Sequence, residues 1–346
     1  MSGAPPARVQ TVLGPVAPAA LGRVLMHEHV LCDVTPPGLF APGTARVAVT
    51  LENLHAIRHG WTTHYGNHIL DDRELMTAEL RDFAAAGGGT VVDLTVHGLS
   101  PDPEGLAEVA RRAGVHIVAG AGYYIEDFAG ALVGDRETEA LADEMISALR
   151  QGIAGTRVRA GILGEIGVSD PWRPVEKRVM LAAVLAQQET GASISVHPGR
   201  DPGSPREVIA FVKAHGGDPQ RLIIGHLDRT ITTADEALAI ADTGAVLEWD
   251  FFGIEASYYP FRPTFDLPND GARLTLIGAL LQRGLGRQVL ISHDICTLTR
   301  LRRRGGHGYA HILNSVVPLM RHKGFEQAQI DTILQHNPQR LLAMTG

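Results

Sequence analysis

The chain has 346 residues, too many for one small core and few for three domains, which leaves one large domain or two modest ones. At 45% hydrophobic and 20% charged it can bury a sizeable core, which excludes a disordered polymer; its formal charge of −7 lacks the basic field that nucleic acid or an anionic membrane surface demands. Two cysteines, Cys32 and Cys296, cannot build a disulfide scaffold or a thiolate metal cage, whereas 16 histidines stand out.

Residues 1–18 carry Pro5, Pro6, Pro15 and Pro18 and no basic region followed by an apolar stretch, so they do not read as a signal peptide. No segment reaches the ~18–20 apolar residues of a membrane helix, and a cytoplasmic protein is expected. Along the chain, short apolar runs recur at 23–29, 90–96, 116–121, 160–167, 193–197, 221–226, 245–251 and 288–294. Between them lie segments with apolar residues three and four apart, such as 137–149, 175–189, 205–215, 233–243 and 271–283. Eight strand–helix alternations predict a (β/α)8 TIM barrel spanning residues 1–346 as one domain. No G-x-G-x-x-G follows the first run, which argues against a dinucleotide-binding sheet. The stretch 34–72, with Pro36, Pro37, Pro42, Gly43 and Gly60, reads as a long loop after strand one holding a short helix near 51–59. A second long loop, 295–308, follows strand eight.

Barrel enzymes carry their chemistry at the C-terminal ends of the strands. Here strand one ends in His27-Glu28-His29, strand four carries Glu165, strands five and six end in His197 and His226, and strand eight in Asp294. Because side chains alternate along a strand, His27 and His29 share a face and Glu28 takes the other. Two pairs of imidazoles can each hold a metal ion, Glu165 can bridge the ions, and Asp294 can serve as ligand and base. Such nitrogen and oxygen donors suit Zn²⁺, with Mn²⁺, Co²⁺ or Fe²⁺ as alternatives. A lone strand-end histidine is more often a hydrogen-bonded core residue; six ligand-type residues at the ends of five strands are not explained that way.

Other features read as structural. Ser292, His293 and Asp294 are strand neighbours and cannot form a nucleophile relay. Glu28, His293 and Asp93 read as supports of the barrel rim, His116 as a strand start, and Cys32 and Cys296 as small packing residues. Arg302, Arg303 and Arg304 suit either an anion site or a solvated loop face.

The motifs VQTVLGPV from Val9, LGRVLMHEH from Leu21, GEIGVS around Glu165, HPGR from His197, GHLDRT from Gly225, HDICTLTRL from His293, GGHGYAHIL from Gly305 and NPQRLL from Asn337 resemble the phosphotriesterase-like family of the amidohydrolase superfamily over nearly the whole chain, most closely its phosphotriesterase-related subgroup. The resemblance implies a binuclear centre with His27, His29 and Asp294 on the more buried ion and His197 and His226 on the more exposed one. Many relatives bridge the ions with a carboxylated lysine; no lysine lies between Arg159 and Gly167, and the sequence is similar to a subgroup in which a glutamate, here Glu165, takes that place. Two ions sharing a water would lower its pKa from ~15.7 toward ~7, and Asp294 would move the proton to the leaving group.

Arg200, Arg229 and Arg300 follow a ligand position by three, three and six residues and suit either receptors for an anion on a small-molecule substrate or partners of acidic loops, and Tyr124 either the pocket wall or core packing. The resembled subgroup implies hydrolysis of a small anionic N-acyl amide of the N-acetyltaurine or N-acyl amino acid type, and a homodimer. Lactonase or carboxylesterase action with weak phosphotriesterase activity is the alternative within the enzyme class, and a non-catalytic metal-containing binding protein the alternative outside it.

Overall fold

The computed structural model describes residues 7–60, 64–257 and 259–344. Eight parallel strands, each overlapping one of the apolar runs, form a nearly closed barrel: β1 (Arg23–Glu28), β2 (Gly88–Asp93, starting two residues before its run), β3 (His116–Ala121), β4 (Ile162–Gly167), β5 (Ile194–His197), β6 (Leu222–Ile224), β7 (Val246–Trp249) and β8 (Val289–Ile291). The architecture is the (β/α)8 barrel expected from the alternation. Helices including Arg73–Ala85, Pro103–Ala113, Thr138–Arg150 and Pro174–Thr190 cover its outside. Helix Pro103–Ala113 shows how locally these are specified. The Asp102 carboxylate accepts from Gly105 N at 2.9 Å, Pro103 fills the first turn where no N–H is needed, and Gly114 ends the helix at φ +73°.

The strands sort their side chains into two cores. Val24, Val92, Val118, Ile162, Ile223, Val246 and Leu290 fill the barrel interior, closed from below by Val9, Leu21, Leu341 and Leu342. Leu25, Val91, Ile117, Leu163, Val196, Leu247 and Val289 face the helices. Strict alternation from Val24 and Met26 would then send His27 outward. A register shift in the β1–β2 ladder between Leu25 and Glu28 takes up the extra residue and turns His27 inward. The β4–β5 ladder shifts likewise between Leu163 and Ile166 and brings Glu165 to the interior. Gly164 makes this possible: φ is +116°, and a Cβ there would meet Ser195 O at 2.2 Å.

The expected excursion after β1 contains helix α1 (Leu51–Arg58) and a two-stranded pairing of Cys32–Asp33 with Ile69–Leu70; its residues 61–63 lie outside the described residues. A third excursion, after β7, was not expected. There Phe251, Tyr259, Phe265 and Leu267 form a small apolar cluster of their own. Among the described residues no helix is long and apolar enough to cross a membrane.

Candidate metal centre

Six side chains from five strand ends meet in the barrel mouth, all buried. Glu165 is their hub. Its Oε2 lies 3.1 Å from His197 Nδ1 and 3.4 Å from both His27 Nε2 and His226 Nε2, and its Oε1 lies 3.5 Å from His29 Nε2. Asp294 Oδ1 closes the ring at 3.3 Å from His29 Nε2 and 3.9 Å from His27 Nε2. His226 Nε2 and His197 Nδ1 face each other at 2.8 Å. Lone-pair atoms thus point at lone-pair atoms, an arrangement that needs protons or cations between them, and the donor set suits divalent ions. His27, His29 and Asp294 offer atoms all within 4.8 Å of one another, as do His27, Glu165 and His226. His226 (φ +52°) and Asp294 (φ +51°) both sit in the left-handed region, which costs a non-glycine residue about 1–3 kcal/mol and persists where the surroundings enforce it.

The electrostatics follow from this crowding. Burial opposes ionisation of Glu165, but hydrogen bonds with His197, His226 and His27 outweigh it and hold the carboxyl well below the usual range. Burial likewise opposes a charged His29, yet its bonds to Asp294 and Glu165 lift it to about 9. At His197 burial wins, helped by the neighbouring His226, and the ring is pushed well down.

A supporting shell orients the imidazoles. Asp250, just past β7, accepts from His226 Nδ1 at 2.9 Å and lies 3.1 Å from His27 Nδ1. Asp228 accepts from the Asp250 backbone N–H at 2.8 Å and ion-pairs with Arg273 Nε; Arg273 also donates to Asp270 at 2.8 Å and to Ile254 O at 2.7 Å. Glu248 is wholly buried beside His27 Nδ1 at 3.8 Å, and its carboxyl is pushed up by burial. Asp93 fixes the start of the first excursion by accepting from Val30 N at 2.6 Å and Thr95 N at 3.0 Å. Asp250, Glu248, Asp228 and Arg273 escaped the sequence reading. The available signal was Glu248 and Asp250, two carboxylates spaced by two within the apolar run 245–251.

The expected substrate contacts separate. Tyr124 OH lies 3.3 Å from His197 Nδ1, at the edge of the cradle. Arg229 is buried against the same histidine, its Nη2 3.1 Å from His197 Nε2. Arg200 lies 4.6 Å from the Phe261 ring centroid, on the excursion after β7. Arg300 is engaged by Asp294 through both the backbone carbonyl and Oδ2, the latter at 3.2 Å. Arg302 and Arg303 pair with Asp82, and Arg303 also with Glu79, so these two support the loop.

A (β/α)8 barrel with a buried histidine–carboxylate cluster at its strand ends, able to hold divalent ions, defines a metal-dependent barrel enzyme. The chain belongs to the phosphotriesterase family, whose model matches residues 7–342, and is a metal-dependent hydrolase. It is 39% identical over 344 residues to an N-acetyltaurine hydrolase of Salmo salar, covering 97% of each chain. Among solved structures it is similar to a resiniferatoxin-binding protein from Rhodobacter sphaeroides, at TM-score 0.90 and 31% identity over 97% of this chain and 94% of that one. It is also similar to the phosphotriesterase homology protein of Escherichia coli, solved with phosphate in its active site, at TM-score 0.77 and 31% identity over 93% and 99% of the two chains.

Proposed function

We propose that the protein hydrolyses small N-acyl amides bearing an anion, of the N-acetyltaurine type, at a binuclear centre. The convergence of four imidazoles and Asp294 on Glu165 is the observation that carries the reading. His27, His29 and Asp294 would hold one ion and His197 and His226 the other, with Glu165 between; zinc suits the donors best. Divalent ions in this cradle supply Lewis acidity and a water whose pKa falls toward ~7. Asp294 takes the proton of the attacking water and returns it to the leaving amine. Arg300, bonded to Asp294 Oδ2 and to Cys296 Sγ at 3.1 Å, holds that carboxylate in place. The Tyr124 hydroxyl, next to His197, orients the acyl group.

The test pairs metal analysis with turnover. About two equivalents of metal per chain, with release of acetate and taurine from N-acetyltaurine, support the reading. Its likeness to a binding protein favours a second reading, a metal-containing binder; bound metal with no turnover of amides, lactones, carboxyl esters or phosphotriesters would establish that instead.

A further inference from the structure

Two arginines among the described residues are almost wholly buried, and they are treated differently. Arg273 (0% exposed) meets Asp228, Asp270 and a backbone carbonyl. Arg229 (1% exposed) has no carboxylate partner among the described residues: Nη2 donates to Pro198 O at 2.8 Å and lies 3.1 Å from His197 Nε2, while Nε and Nη1 are buried without a partner. A buried guanidinium with free N–H groups is costly unless something else supplies the acceptor. Arg200, three residues past His197, carries a second guanidinium whose Nε is also buried and unpartnered. Two like charges with free donors beside the cradle ask for an anion.

We propose that Arg229, with Arg200, is the receptor for the substrate's anionic group and sets how far that group may lie from the scissile amide. One imidazole, His197, stands between Arg229 and Glu165: Nε2 faces the guanidinium and Nδ1 the carboxylate. A substrate whose acyl carbonyl sits at the cradle therefore reaches Arg229 through a short linker, as in N-acyl α- or β-amino acids and aminoethanesulfonates, and longer or neutral amines forgo the contact. This rests on the amide reading above, and the experiment separates the two.

The purified metal-containing protein is titrated with ethanesulfonate and with the neutral diethyl sulfone, in wild type, Arg229→Gln and Arg229→Lys. Ethanesulfonate binds wild type in preference to the sulfone; Arg229→Gln loses about 10- to 100-fold of that affinity, as expected for a charged hydrogen bond, and Arg229→Lys loses less. Arg229→Gln melts no lower than wild type, because an uncompensated charge has been removed, whereas loss of a structural arginine lowers Tm. Then kcat/KM is measured for the N-acetyl derivatives of glycine, β-alanine, taurine, 4-aminobutyrate, 6-aminohexanoate and neutral ethylamine. Wild type favours the short anions, and Arg229→Gln levels the series through KM.

Equal binding of ethanesulfonate and sulfone by wild type, or unchanged ethanesulfonate affinity in Arg229→Gln, overturns the proposal and leaves the free donors to water. Should Arg229→Gln not fold, that too overturns the proposal, since it makes Arg229 structural. Ethanesulfonate binding through Arg229 without turnover of any amide keeps the receptor and removes the amide reading. Amide turnover indifferent to charge and chain length does the reverse.

Discussion

The Glu28 carboxylate lies 2.8 Å from His293 Nδ1, and the pair spans the seam between the first and last barrel strands. Glu28 Oε1 also accepts from Ser292 Oγ at 2.8 Å and His293 N at 2.9 Å, and Oε2 from Ile295 N at 2.9 Å. Among the described residues no ladder joins β1 to β8, and Glu28 shares the joining with two backbone hydrogen bonds, Asp294 N to His27 O at 3.0 Å and His29 N to Ile295 O at 3.2 Å. Together these contacts set how far His27 and His29 lie from Asp294. Glu28→Ala leaves the buried donors of Ser292, His293 and Ile295 without an acceptor and should cost about 1–3 kcal/mol for each donor that water cannot reach, read as a fall in Tm. Glu28→Gln keeps the volume but sets an N–H against a donor; it should cost about 1–3 kcal/mol and weaken metal retention on dialysis. Wild-type metal retention in Glu28→Gln would disconnect the seam from the centre.

Asp294→Asn should retain the fold and lower kcat by about 10²–10⁴, the usual worth of a positioned general base. Steady-state assays beside metal analysis check it, and full turnover with metal retained removes Asp294 from the proton path.

Glu165 is a carboxylate without added carbon dioxide. Metal loading of the metal-free protein should therefore proceed equally in bicarbonate-free and bicarbonate-containing buffer, followed by metal content and recovered activity. Glu165→Ala should lose metal in both.

Arg273 and Asp228 form a buried pair behind Asp250. Arg273→Met strands Asp228 and should lower stability by about 3–5 kcal/mol, measured by denaturant unfolding. The double variant Asp228→Asn with Arg273→Met should recover part of that loss, because Asp228 no longer leaves an unpaired charge; Asp270 keeps His311 at 2.7 Å.

Acid stability has an identifiable contributor far from the centre. Hydrogen bonding to His97, opposed by burial and joined by Arg136, holds Glu144 at about 2 against an ordinary 4.5. A carboxyl depressed on folding stabilises above its unfolded value and loses that contribution as pH falls from 4.5 toward 2. With its side chain 40% exposed, the contribution is screened to less than about 1 kcal/mol. Tm against pH should fall less steeply over that window in Glu144→Gln than in wild type.

The barrel was legible because short apolar runs alternate with longer amphipathic segments, and four of the eight runs end in histidine or aspartate while a fifth carries Glu165. The inward turn of His27 was legible only relative to His29; the shift between Leu25 and Glu28 that produces it leaves no mark in composition. Asp228 and Arg273, 45 residues apart, become partners only through the fold. Arg300 shows the opposite limit. Arg300 Nη1 lies 3.2 Å from Asp294 Oδ2, and spacing cannot distinguish an arginine facing substrate from one holding the neighbouring carboxylate. The excursion after β7 went unnoticed because its aromatic residues cluster among themselves and follow neither strand nor helix periodicity.

The strand Arg8–Thr11 pairs with Ala343–Met344, Arg8 directly opposite Met344. Neighbouring strands lie about 5 Å apart, so a few residues of linker would join one end of the barrel's wrapping to the other, under the floor formed by Val9, Leu341 and Leu342 and away from the strand ends that carry the chemistry. New ends can then be opened in the exposed turn at His215 and Gly216 without cutting a strand. A circularly permuted chain of this design should fold and keep its metal-binding residues in register, because the order in which the eight strand–helix units are synthesised is not what holds them in a ring.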